Sequence, residues 1–145
     1  MFANPILVPS YANPFLWGLA ILAMMIEVRT VAWLLRRMGR NVDRVKRPLG
    51  LLNLATWFPF LVAMDRAPAD TALQFTASVT VLEIVVIVVE TFLIRELCAG
   101  RLFLREPACG TVTLRQAIGL SVAGNLASIA ASVAFTVLMA FLLRH

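Results

Sequence analysis

The chain is poor in the residues that carry most protein chemistry. Its 145 residues include one histidine, His145, one lysine, Lys46, and two cysteines, Cys98 and Cys109. A single histidine excludes a haem held between paired histidines and a three-histidine zinc site. One lysine, set among arginines, has no apolar surroundings to turn it into the base of a Ser-Lys pair. The cysteines lie too far apart for a CxxC redox motif and read as free thiols. GxSxG, HExxH and Walker sequences are all lacking, so an enzyme is not the favoured reading and no cofactor is expected. Charge is scarce too, at 14% of residues.

Apolar residues are abundant instead. They make up 61% of the chain, and the mean hydropathy is +0.87. A membrane-crossing helix needs about 20 apolar residues to pass a hydrocarbon layer of ~30 Å. The pattern predicts an all-α integral membrane protein: a single membrane domain of four transmembrane helices, in an up-down-up-down bundle, at about residues 14–38, 48–64, 71–98 and 114–143. Residues 1–10 lack a basic n-region and a small-residue cleavage site, so the first span is expected to stay as an anchor.

Local signals set the ends of the spans. Asn13 and Pro14 suit the N-cap and first position of the first helix, and Gly39 suits its stop. Pro48 is expected to open the second span. That span is short at ~24 Å, and Pro59 leaves the Ala55 carbonyl without its usual donor, so a kink is expected there. Asp70 is expected to cap the third helix. Thr113 to Gln116 reads as a capping box for the fourth.

The net charge of +5 does not indicate nucleic acid, because the cations lie between apolar segments. Arg36, Arg37, Arg40, Arg44, Lys46 and Arg47 form one basic loop; Arg95, Arg101, Arg105 and Arg115 flank the second, with Leu102-Phe103-Leu104 as an interfacial patch. Arg66 and Arg144 fall on the opposite side. By the positive-inside rule both loops are cytoplasmic and both termini periplasmic or extracellular, across a bacterial inner membrane. Tyr11, Trp17 and Trp33 fit aromatic anchors at the two interfaces. The basic loop has topology as its default role, with a partner or an anionic headgroup as the alternative.

Four ionisable residues fall inside the expected spans away from their charged ends: Glu27, Arg29, Glu83 and Glu90. Each would cost roughly 2.5–3.5 kcal/mol at a helix centre on insertion scales, so each needs a partner. Glu83 and Glu90, seven residues apart, share one helix face. Glu27 and Arg29 point in different directions. One reading is packing, with Glu27 bonded to Asn53 and Glu90 to Asn125; an ion pair from Arg29 to Glu83 or Glu90 is an intermediate case, and a proton or cation path is the other.

Repeats add a second pattern. Phe2 to Leu7 is echoed by Tyr11 to Leu16, and Asn53-Leu54-Ala55-Thr56 by Asn125-Leu126-Ala127-Ser128, as if two related helical hairpins stood side by side. The fourth span carries small residues, Gly119, Ser121, Ala123, Gly124, Ala127, Ser128, Ala131 and Ser132, a face that lets another helix come close.

These features suggest a small accessory or scaffold subunit that meets membrane lipid and packs against other membrane subunits or its own copies. The alternative is a small transporter or proton-conducting unit, oligomeric and using the intramembrane carboxylates. A lipid- or quinone-handling enzyme using Glu83, Glu90 and Arg29 ranks last.

Overall fold

The computed structural model of the chain describes residues 14–66, 71–102 and 109–142. They form four helices and, among the described residues, no strand: α1 (Pro14–Arg37), α2 (Lys46–Arg66), α3 (Ala72–Cys98) and α4 (Leu114–Leu142). Asn13, Tyr11, both copies of the first repeat apart from its last residues, Asp70, and the Phe103 and Leu104 of the interfacial patch lie outside the described residues. So do Arg105 and Arg144.

Three stretches are long and apolar enough to cross a membrane: Gly18–Arg37, Leu73–Cys98 and Leu114–Met139. The second helix is not among them, which narrows the expectation of four spans. The cause is visible in its sequence. It opens on Lys46 and Arg47, two residues before the expected Pro48, carries Asn53 and Pro59 in its interior, and ends on Asp65 and Arg66. Its 21 residues stay helical through Pro59.

Glycine ends α1 and α3 in the same way. Gly39 (φ 73°) and Gly100 (φ 78°) take left-handed backbone that other residues rarely adopt. Behind Gly39, Arg40 N–H donates to the Leu35 carbonyl (3.0 Å); behind Gly100, Arg101 N–H donates to the Glu96 carbonyl (2.9 Å). Each is a Schellman stop. Basic residues in the last turns, Arg36 and Arg37 in α1 and Arg95 in α3, complement the negative helix ends.

At the helix starts the structure agrees once and corrects once. Gln116 N–H donates to Thr113 Oγ1 (3.3 Å) and Thr113 N–H to Gln116 Oε1 (3.0 Å), a reciprocal capping box. The cap of α3, however, is Thr71 rather than Asp70: Thr71 Oγ1 accepts from Gln74 N–H at 3.1 Å.

Each helix packs against its sequence neighbour, and α1 closes the ring against α4. The apolar core lies at the end where the two basic loops are. It joins Val31, Ala32 and Leu35 of α1, Leu49 and Leu52 of α2, Ile94 and Leu97 of α3, and Ala117 and Leu120 of α4. Val42, Val45, Cys109 and Val112 enter it from the connections. The basic loop is thus a folded plug, with Val42 and Val45 three residues apart turning inward while the charges face out. Outside, Val81, Ile84, Val85, Val88 and Phe92 of α3 and Val133, Val137 and Phe141 of α4 are exposed. An apolar outer surface over an apolar core is the pattern of helices solvated by lipid.

Candidate functional site

Directly beyond the apolar plug, the four helices turn polar groups toward one another. Among the described residues five polar ones are buried: Glu27, Glu90, Thr91, Ser121 and Asn125. Thr91 is satisfied within α3, its hydroxyl donating to the Ile87 carbonyl at 2.7 Å. The others converge on Glu90.

Glu90 Oε2 accepts from Asn125 Nδ2 at 2.6 Å and lies 3.0 Å from Ser121 Oγ; Glu90 Oε1 lies 3.2 Å from Thr56 Oγ1. Glu27 and Asn53 line the same cavities as Glu90, with the Glu27 carboxyl close enough to interact with both side chains. Of the two pairs read from the sequence, Glu90 with Asn125 is hydrogen-bonded and Glu27 with Asn53 lies beside it around the same cavities, so the four residues gather in one cluster in place of two separate clasps. Two carboxyl groups in contact are compatible when a hydrogen lies between their oxygens.

The hydroxyls around Glu90 have a choice. Each carries a single hydrogen. Thr56 Oγ1 is within reach of the Asn53 carbonyl (3.0 Å) and the Leu52 carbonyl (3.3 Å) as well as Glu90. Ser121 Oγ reaches the Ile87 carbonyl (3.3 Å) as well as Glu90. With Glu90 a carboxylate, both hydroxyls donate to it. With Glu90 a carboxylic acid, it donates to one hydroxyl, which turns its own hydrogen to the backbone. Either state is satisfied without moving a heavy atom.

A cavity of about 260 Å³ opens beside this cluster, away from the plug. Its walls include Glu27, Asn53, Thr56, Glu83, Glu90 and Asn125. The volume is far more than one water requires. Glu83 is half-buried and stands about two helical turns before Glu90, a rise of about 10 Å. Among the described residues its carboxyl has no hydrogen-bond or ion-pair partner. On the plug side of the cluster a void of about 20 Å³, the size of one water, is bounded by Val31, Leu49, Leu52 and Ile94.

Arg29 does not join the carboxylates. It is exposed, and lines a groove between α1 and α2 together with Arg36 and Lys46. The small-residue face of α4 also divides. Gly124 is buried against α1: a Cβ there would fall 2.9 Å from Glu27 Cγ and 3.0 Å from Val31 Cγ2. Ala123, Ala127, Ser128 and Ala131 are half-buried, Ser128 lining the central cavity, while Gly119 is exposed with nothing within 4 Å. The close-packed part of that face is used inside the chain.

The basic loop divides as well. Arg37 stacks its guanidinium over the Trp33 ring, 4.7 Å from the centroid. Arg36 and Lys46 both reach Asp43, at 3.5 and 3.3 Å. Arg40 crosses to the other connection and donates to the Thr111 carbonyl at 3.0 Å. Arg44 and Arg47 are exposed.

Sequence reasoning missed Ser121 and Thr56 as members of the cluster. Both carry a signal: Ser121 lies four residues before Asn125 and Thr56 three after Asn53, one helical turn away on the same faces. The two cysteines, read as free thiols, are free and buried, and their side chains are close enough to interact. Compared with known protein families, characterised proteins and solved structures, the chain finds no match in any of the three.

Proposed function

We propose that this is a small multi-pass membrane protein, with all four helices crossing the bilayer, that takes up and releases a proton at the Glu27–Glu90 pair, alone or in exchange for a small cation entering the central cavity. The hydroxyls of Thr56 and Ser121 carry this reading. Their placement between Glu90 and backbone carbonyls serves both protonation states of the carboxyl. A purely structural clasp needs only one. Glu83, facing the same cavity, gives a second acidic stop along the way from the side opposite the basic loops.

The apolar plug closes the cavity toward the basic end, so the geometry favours access from one side at a time over an open pore. By the positive-inside rule the plugged end is cytoplasmic and the cavity faces the periplasmic or extracellular side of a bacterial inner membrane. Short α2 is then accommodated as the one span that meets the bilayer with charges at both ends and a polar interior.

Reconstitution into liposomes with a pH-sensitive dye and an imposed potential tests the proposal. Proton flux is expected for the native chain, is lost in Glu90→Gln and falls in Glu83→Gln. Absence of flux in the native chain, or flux unchanged in both variants, overturns it.

A second reading, an accessory or scaffold subunit that packs on partner subunits or on itself, is favoured by one observation. Gly119 and its exposed neighbours Ile118 and Leu126 form an open surface on α4. Co-purification of other membrane subunits in mild detergent, with no flux from the isolated chain, would establish that reading in place of the first.

A further inference from the structure

Arg29 is the charge in α1 that the central cluster leaves unused. It lies eight residues before the helix end at Arg37, about 12 Å along the axis. Its side chain is on the outer surface, and among the described residues it has no hydrogen-bond or ion-pair partner. In a bilayer an exposed guanidinium at that depth is costly unless it snorkels or meets an anion.

The surface around it is a groove between α1 and α2 of about 560 Å³. Met25, Val28 and Ala32 of α1 give it an apolar lining, and Gly50 of α2 adds no side chain to it. Arg36, Lys46 and Trp33 line it toward the basic connection between α1 and α2. Arg29 and Arg36 are seven residues apart and so share one face of α1, about 10 Å apart along the axis. No carboxylate lines the groove. The nearby Asp43 bonds Arg36 and Lys46 from outside, leaving three cations against one acid.

We propose that this groove binds one anionic phospholipid. The membrane reading of the chain is its premise; proton handling is not. A phosphate seated between Arg29 and Arg36 takes the forked donors of a guanidinium, and Lys46 answers the additional negative charge of an acidic headgroup. One acyl chain follows the apolar floor past Val28 and Met25. Trp33, half exposed, lies at the level of the glycerol backbone, where indole rings settle in bilayers. A free phosphate would satisfy the arginines but leave the apolar floor bare, so a lipid is the occupant that the whole groove fits.

Tryptophan fluorescence tests this. In a Trp17→Phe/Trp57→Phe background with retained helicity, Trp33 reports on the groove. Bilayers containing brominated phosphatidylglycerol should quench it more strongly than bilayers with brominated phosphatidylcholine of the same chains. Each juxtamembrane cation contributes about fivefold to anionic-lipid affinity, so Arg29→Gln should reduce the preference about fivefold. Arg29→Lys should retain most of it, and Arg44→Gln, on the loop but outside the groove, all of it. Equal quenching by the two lipids overturns the proposal, as does a preference that Arg29→Gln leaves intact. Relief of the quenching by millimolar inorganic phosphate would assign the site to the free anion and overturn it as well. Native mass spectrometry of the unmodified chain should show one retained phosphatidylglycerol, and its loss in Arg29→Gln supplies an independent check.

Discussion

Asn125 donates its side-chain amide to Glu90 Oε2 across 2.6 Å, joining α4 to α3 at the level where Glu27 of α1 faces the same cavity. The same amide lies 3.0 Å from the Ser121 carbonyl, so its two hydrogens have one acceptor each and the side chain is held in a single orientation. A carboxyl buried 94% from solvent thus has one fixed donor and two that can rotate.

Removing the fixed donor and removing the rotating ones should have different effects. Asn125→Ala removes the one fixed donor to Glu90 Oε2, leaving Ser121 alone on that oxygen, and is expected to cost about 1 kcal/mol, the usual scale for a hydrogen bond between helices in lipid. Thr56→Val and Ser121→Ala keep the Asn125 bond. They should cost less in stability and more in proton flux, because only they can follow Glu90 between its two states. Denaturation midpoints in mixed detergent, set beside liposome flux for the same three variants, check this; equal ranking in both measurements would contradict it.

Gly124 and Gly119 lie five residues apart on α4 with opposite surroundings. A methyl at Gly124 meets Glu27 Cγ at 2.9 Å and Val31 Cγ2 at 3.0 Å, so these side chains or α1 itself must shift. Overpacking of that kind costs about 1–3 kcal/mol. Gly124→Ala is expected to lose stability on that scale and to weaken the contact of Glu27 with Glu90. Gly119→Ala meets nothing within 4 Å and should not destabilise the monomer. Loss of a dimer or of a co-purifying subunit in Gly119→Ala, with the monomer intact, would be the signature of a partner on that surface.

How much of this the sequence discloses depends on whether a signal is local. Helix stops at Gly39 and the capping box at Thr113 depend on a few adjacent residues, and both are present in the structure. The pairing of Glu90 with Asn125 and the nearness of Glu27 to Asn53 were also legible, because equal depth below the two loops follows from counting residues. That both pairs share one cluster was not, since it depends on how α1 closes against α4. Arg29 shows the same limit: spacing alone says only that it points away from Glu27, whereas its groove is made by α2. Val42 and Val45 sit in a run dominated by charge, and their burial depends on the open end of the bundle needing an apolar plug.

Cys98 and Cys109 are ten residues of connection apart, yet their thiols touch. The hydrogen bond from Cys98 holds the Cys109 thiol below the ordinary cysteine range, and the Arg40 guanidinium acts in the same direction, while burial opposes both. An acid with a lowered pKa gives up its proton at lower pH, so Cys109 reaches its reactive thiolate sooner than a free cysteine, at about 8.5, would. Diamide should therefore join the two thiols within one chain, two hydrogens passing to the diazene bond of the reagent. The rate should rise through a midpoint below the ordinary thiol value, and Arg40→Gln should move that midpoint upward. Persisting alkylation of both thiols after diamide would show that they cannot approach to bonding distance.

Arg40 also ties the two connections together, and the partner that makes room for it is Gly110. Gly110 has φ +74°, and a Cβ built there would lie 2.7 Å from Arg40 Nη1. Gly110→Ala therefore carries two costs: about 1–2 kcal/mol for left-handed backbone in an L-residue, and displacement of the guanidinium that donates to the Thr111 carbonyl. The second cost disappears if Arg40 is already gone. Arg40→Gln alone should destabilise by about 1 kcal/mol through the lost hydrogen bond. The double variant Arg40→Gln/Gly110→Ala should then be less damaged than the two single losses added together, because neighbours that share one interaction do not contribute independently. Strict additivity in detergent denaturation would mean that Arg40 swings clear of Gly110 at no cost, and that the two connections are held by the Val42, Val45 and Val112 contacts alone.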